Sequence, residues 1–252
     1  MSHHFVPIVP CAPNMRDLGG LRAGAHGWVR RGVLFRSEHL APPAEDMAPL
    51  ATLGIRTALD LRSDAERSRA PNAWLSSQGV TIHEVDVTAD FRASADLLAG
   101  LLADPSEAGA VALMTGTYGE MPHAARRAVK TAADIIVTGE VPLLIHCTAG
   151  KDRTGFVCAM LLLAVGVPED AVMEDFLLSQ ERRHHHVSNA TRLLMADAGI
   201  EIDDAMLGAL NSVRANYLAT ALRTIDQDFG GLERYLDMAD VSRERLRDAL
   251  IA

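Results

Sequence analysis

His146-Cys147-Thr148-Ala149-Gly150-Lys151-Asp152-Arg153-Thr154-Gly155 follows an unbroken apolar run, Val141 to Ile145, and leads into a second one, Phe156 to Val165. A short apolar run of this kind predicts a strand ending at Cys147 and buried on both faces. The stretch after it, apolar nearly all round, predicts a buried helix over Thr154–Val165. A strand, a tight loop and a buried helix in that order predict an α/β fold with a largely parallel sheet.

The loop between them carries chemistry. Cys147 and Arg153 bracket it, and it ends where the helix begins. Successive backbone N–H groups in such a loop form a nest for an anion. The helix N-terminus adds unpaired N–H groups and a favourable dipole. Thr148, Ala149, Gly150, Lys151, Asp152 and Arg153 are therefore the expected phosphate-binding residues, with Gly150 supplying a conformation other residues resist. Arg153 can hold two phosphate oxygens through its planar fork. The same field favours the thiolate, the attacking form of a cysteine. A thiolate beneath a cradled phosphate is placed for in-line attack, giving a phosphocysteine. Thr154 can hydrogen-bond the sulfur as it leaves.

The rest of the chain is compatible with one domain built on this unit, residues 1–252. Further strands are expected at Val33–Phe35, Thr57–Leu61 and Thr81–Val87. Helices are expected at Ala44–Leu53, Pro122–Thr138, Glu169–Arg183, Asn189–Ala198, Asp204–Asp226 and Ser242–Ile251. The expected architecture is a central, largely parallel sheet of four or five strands flanked by helices. Two segments, about 90–119 and 182–226, fall outside a minimal core and read as either a helical lid or a peripheral layer.

The net charge is −9, which argues against general nucleic-acid or anionic-membrane binding. No apolar run is long enough to span a bilayer. Cys11, Cys147 and Cys158 are too few and too scattered for a disulfide framework, so a reducing, cytoplasmic setting is expected. Oligomeric state is not legible.

The ten residues from His146 to Gly155 resemble the phosphate loop of the bacterial atypical tyrosine/serine protein phosphatases, within the cysteine phosphatase superfamily and bordering on the phosphoinositide phosphatases. Asn14-Met15-Arg16-Asp17-Leu18-Gly19-Gly20, Leu34-Phe35-Arg36-Ser37 and Asp60-Leu61-Arg62-Ser63-Asp64-x-Glu66 are similar to further motifs of that family. Asp175-Phe176-Leu177-Leu178-Ser179-Gln180 departs from the family's Asp-Tyr-x-x-Ser-Asn, on a helix expected to support the site. The resemblance implies a cysteine-dependent protein tyrosine and dual-specificity phosphatase. Its partners would be phosphorylated proteins or phosphoinositides, and it needs no metal or cofactor.

The resemblance also makes Asp152 the first choice for the acid that protonates the leaving group, against a role in holding the loop. Asp86, at a strand end, is the runner-up. Lys151 reads either as a solvated rim charge or as an attraction for multiply phosphorylated substrates. His146, Arg16, Asp17 and Arg62 are supporting candidates, with structural ion pairing open for the charged ones. His184-His185-His186 is read as a helix end, since adjacent histidines on a helix diverge and no zinc-spaced partners accompany them. Two other functions stay open: a sulfurtransferase or arsenate-reductase-like cysteine enzyme, and a non-catalytic phosphate-binding module.

Overall fold

The computed structural model describes residues 10–87, 95–181, 192, 195–196 and 199–252. The expected helix Asn189–Ala198 lies largely, and His184–His186 wholly, outside them. Five strands form one sheet: β1 (Arg16–Asp17), β2 (Leu34–Ser37), β3 (Thr57–Asp60), β4 (Thr81–Glu84) and β5 (Leu143–His146). Their spatial order is β1-β2-β5-β3-β4. All neighbours are parallel except β1, which pairs with β2 antiparallel.

Strand β5 lies between β2 and β3, and all four of its residues are buried. Side chains alternate faces along a strand, and the core divides accordingly. Leu34, Leu59, Leu143 and Ile145 join the large apolar cluster on one face. Phe35, Ala58 and Leu144 join a smaller one with Leu50, Trp74 and Leu75 on the other. The smaller cluster is covered by α1 (Ala44–Ala51) and α3 (Ala73–Ser77); α2 (Asp64–Arg69) stands at the C-terminal end of β3.

The larger face is covered by helices. After α4 (Ala95–Ala103) comes α5, which runs unbroken from Glu107 to Thr138. Sequence periodicity places its start at Pro122, because proline suits the first turn of a helix. The true start is Ser106, whose side chain accepts from the Gly109 N–H as an N-cap. Pro122 is carried inside the helix, and its carbonyl also accepts from the Tyr235 hydroxyl at 3.1 Å. Residues 107–119 are thus the N-terminal part of this helix, burying Ala110, Leu113, Met114, Thr117 and Tyr118.

Helix α6 (Asp152–Ala164) follows the loop after β5 and packs on α5 and on α7 (Glu169–Glu181). The expected single helix Asp204–Asp226 is two: α8 (Asp204–Asn211) and α9 (Ala215–Thr224), separated by an extended Ser212 and followed by a π-helical turn at Ile225–Phe229. Helices α10 (Leu232–Met238) and α11 (Arg243–Leu250) close the chain. Among the described residues no helix is long and apolar enough to cross a membrane.

Gly150 shows how tightly the loop after β5 is set. Its φ is +65°, and a Cβ there would lie 2.4 Å from the Ser37 carbonyl and the Glu38 nitrogen. Gly54 has a similar φ of +62° but nothing within 4 Å of such an atom. Gly54→Ala therefore incurs only left-handed strain, about 1 kcal/mol. Gly150→Ala adds a backbone clash and is expected to cost about 3 kcal/mol or more. Thermal melts of both variants should show the larger drop at Gly150; equal drops would contradict the contact.

Candidate functional site

The loop from Cys147 to Lys151 is held from outside by its carbonyls. The His39 N–H donates to the Thr148 carbonyl at 3.3 Å. Asn14 Nδ2 donates to the carbonyls of Ala149 (3.1 Å) and Gly150 (2.9 Å). Arg36 Nη2 donates to those of Gly150 (2.9 Å) and Lys151 (3.4 Å). In a trans peptide the C=O of one residue and the N–H of the next point opposite ways. Drawing the carbonyls of residues 148–151 outward turns the N–H groups of Ala149, Gly150, Lys151 and Asp152 to the other side. That side is closed below by Cys147, 2 % exposed at the strand end, and by the first turn of α6. The Thr154 hydroxyl, on that first turn, is buried without a hydrogen-bond partner.

The donors are themselves fixed by α7. Arg16 Nε lies 2.6 Å and Arg36 Nη1 2.7 Å from the two oxygens of Asp175, and both guanidinium groups reach Ser179 Oγ. Asp175 and Ser179 are four apart on a helix, so they share a face. Arg16 also donates to the backbone and side-chain oxygens of Asn14 at 2.9 and 2.6 Å. Burial would push the Asp175 carboxyl up, but the two arginines hold it below its ordinary value.

Arg153 is oriented by Glu66. Nη1 and Nη2 meet the two carboxylate oxygens at 2.7 and 2.9 Å, and Nη1 reaches the Leu61 carbonyl at 3.3 Å. Glu66 owes its place to a capping box on α2, in which it accepts from the Ser63 N–H at 2.9 Å. It also accepts from the Thr148 hydroxyl. Burial alone would raise Glu66, yet the Arg153 bonds and charge, with Thr148 and Ser63, hold it well below the usual carboxylate range.

A further buried pair closes the end of β3. Arg62 meets Asp60 at 2.7 Å, and Asn72 donates to Asp60 at 2.7 Å. Burial opposes the charge of Asp60, but Arg62, His146 and the Arg62 backbone bring its pKa down to about 2. His146 Nε2 is 3.9 Å from Asp60, and burial pushes the ring's pKa down to about 4. His146 is thus neutral at neutral pH, so this close approach is not an ion pair.

The candidates from sequence separate clearly. His146 and the residues Cys147–Thr154 come together, and Arg16 lies beneath them. Arg62 serves the strand end and not the loop. Asp17 accepts from the N–H groups of Gly19 and Gly32 at 2.8 and 2.9 Å, holding the turn after β1. Lys151 is neither solvated nor on an open rim: it is 6 % exposed, and its ammonium donates to the carbonyls of Leu210 (3.1 Å) and Ser212 (3.3 Å). Asp152 lies 3.0 Å from Lys151 and accepts from the Tyr118 hydroxyl at 2.7 Å. Asp86 is exposed just past β4, and burial raises its pKa against the pull of Arg67 and Arg153. Asn14, Arg36, Glu66 and Tyr118 were not singled out from sequence. The first three lie within the quoted motifs, but their spacing does not tell which atoms they hold. Among the described residues no cluster of His, Cys, Asp and Glu could hold a metal.

Residues 8–252 match the sequence model of the tyrosine phosphatase family. A tyrosine-protein phosphatase of Cupriavidus necator is 35% identical over 272 residues, covering 100% of this chain and 95% of its own. The triple specificity protein phosphatase PtpB of Mycobacterium tuberculosis is 30% identical over 280 residues, covering 96% and 98%. The crystal structure of P. aeruginosa TpbA aligns with 79% of this chain and 90% of its own, at 21% identity and a TM-score of 0.34.

Two outcomes follow from these contacts. Glu66→Gln places an amide donor against an arginine donor, and kcat/KM for an aryl phosphate is expected to fall by about tenfold or more. An unchanged value would remove Glu66 from any role in orienting Arg153. Asp60 contributes one part of the pH dependence, beside Glu66, Asp175 and His146: its folded pKa of about 2 lies below the unfolded value of about 3.9. Its stabilisation is complete above the unfolded value and is lost as pH falls from about 4 toward 2, amounting to about 2 kcal/mol. Urea midpoints should fall over that window, and less steeply in Asp60→Asn.

Proposed function

The chain belongs to the tyrosine phosphatase family, and from that premise we propose that Cys147 is the nucleophile of its cysteine-based phosphate monoester hydrolysis. The observation that carries this reading is the set of loop carbonyls bonded outward by Asn14, Arg36 and His39, which leaves the opposing N–H groups above Cys147. These bonds within the protein fix the cradle's donors, which favours a preorganised site over one that rearranges in the transition state.

The Cys147 sulfur attacks phosphorus in line while the ester P–O bond breaks. Asp152 gives its proton to the departing oxygen, and the phosphoryl group passes to sulfur. A water then attacks phosphorus, Asp152 takes a proton from it, and the S–P bond breaks to release inorganic phosphate and the thiolate. Arg153 and the loop N–H groups hold the three equatorial oxygens throughout, and Thr154, whose hydroxyl has no other partner, donates to the leaving sulfur. The Lys151 side chain shapes the loop, its ammonium being committed to Leu210, Ser212 and Asp152, and Lys151 serves phosphate through its backbone N–H.

The substrates proposed are phosphotyrosine, phosphoserine and phosphothreonine in proteins, and phosphoinositides. The triple specificity named for the M. tuberculosis relative supports that breadth. A thiol-redox alternative finds no support in the other cysteines. Burial, with Asp46 beside Cys11, raises the pKa of Cys11 and of Cys158 to about 12. Neither supplies a thiolate at neutral pH.

Cys147→Ser is expected to abolish turnover, a loss of about 10⁴-fold or more, while retaining oxyanion binding. Substantial residual hydrolysis in that variant would refute the covalent route. Asp152→Asn separates the two acid candidates. Loss of a general acid hurts substrates with basic leaving groups most. The expected drop is large for phosphoserine and small for a nitrophenyl ester; an equal drop, with weaker inhibition by phosphate, moves the acid role to Asp86.

A further inference from the structure

Tyr118 is fully buried on α5, far in sequence from the loop, and its ring is fixed on two sides. It stacks on Tyr217 of α9 with centroids 5.4 Å apart, and meets Phe176 of α7 edge-on at 5.9 Å. A tyrosine has two side-chain torsions, so ring contacts of this kind also set where its hydroxyl lies. That hydroxyl is 2.7 Å from Oδ1 of Asp152. A buried hydroxyl left without a partner costs about 1–3 kcal/mol, so the contact is strongly favoured. Burial, then the charge of Asp152, raises the Tyr118 pKa well above its ordinary value. The hydroxyl therefore keeps its proton and remains a donor.

The carboxylate has a second partner. Lys151 Nζ lies 3.0 Å from Oδ2 of Asp152 and donates to Oδ1 at 3.4 Å. The Lys151 ammonium has three N–H donors, and its acceptors are Leu210, Ser212 and Asp152. The carboxyl group is thus held by a buried hydroxyl at Oδ1 and by an ammonium that is itself anchored, while its side chain keeps 23 % exposure.

We propose that Tyr118 is a positioning residue for leaving-group protonation: by donating to Oδ1 of Asp152 from a fixed ring, it holds the carboxyl in the orientation from which it delivers its proton. The last torsion of an aspartate is broad, and the hydroxyl of an enclosed ring anchors one oxygen without adding charge. The inference rests on Asp152 being the general acid.

The test is Tyr118→Phe, which removes one oxygen and keeps both ring contacts. With the hydroxyl gone the carboxyl loses its uncharged anchor and can rotate, and delivery slows. The expected kcat loss is about tenfold for phosphoserine and less than about threefold for a nitrophenyl phosphate, with KM and inhibition by inorganic phosphate unchanged. In an Asp152→Asn background the same substitution should add no further leaving-group-dependent loss, since residues acting as a unit are not additive. A uniform loss on both esters, weakened phosphate inhibition, or full additivity overturns the proposal. The two levels fail separately. If Asp152→Asn itself loses equally on both esters, the acid assignment falls and this inference with it. If Asp152→Asn discriminates between the esters and Tyr118→Phe does not, the inference alone falls.

Discussion

Everything at the site depends on which way four peptide groups point. A five-residue loop between a strand and a helix has many conformations, and only one family of them turns its N–H groups inward. The chain selects that family from behind, by bonding the carbonyls. Asn14 and Arg36 make those bonds, Gly150 allows the approach to Ser37 and Glu38, and Asp175 with Ser179 holds the arginines in place. The phosphate side of the loop is thereby shaped without using any group needed for phosphate.

The buried charges around the loop are matched by carboxylates. Arg153 is matched by Glu66, Arg62 by Asp60 and Lys151 by Asp152. Arg16 and Arg36 share the single carboxylate of Asp175. Glu38, buried beside the loop, accepts from the Asn14 N–H at 3.2 Å and adds a fifth carboxylate. A buried charge is costly unless another charge compensates it, and these carboxylates supply that compensation. In a chain of net charge −9 an anion is drawn in locally, by Arg153 and the loop N–H groups, against the overall field.

Much of this was legible in the chain. The run Val141–Ile145 and the apolar stretch after Gly155 mark β5 and α6 because both are buried all round, and three further strands, β2, β3 and β4, follow from short apolar or alternating runs. The remainder required contacts between remote segments. Arg16 and Asp17 are neighbours on a strand and so face opposite sides; only the structure tells that Arg16 turns toward α7 and Asp17 toward a turn. Arg36 and Arg62 are the same residue type near the ends of the two strands that flank β5, yet one supports the loop and the other Asp60. Proline at 122 reads locally as a helix start, while the packing of α5 carries the helix through it. Lys151 reads as a solvated charge because nothing in its neighbourhood along the chain announces the carbonyls of Leu210 and Ser212.

The anchoring from behind has a consequence for the order in which the molecule assembles. Asn14 meets Gly150 across 136 positions and Arg16 meets Asp175 across 159. Contacts of such separation form only after the intervening chain has been closed into loops, and closure of that length is slow. Helices such as α5 and α6, whose bonds are local, can form before it. A refolding chain therefore regains its helical content first and its anion cradle last, so catalytic competence reports the completion of the whole topology and not of the segment that carries the cysteine.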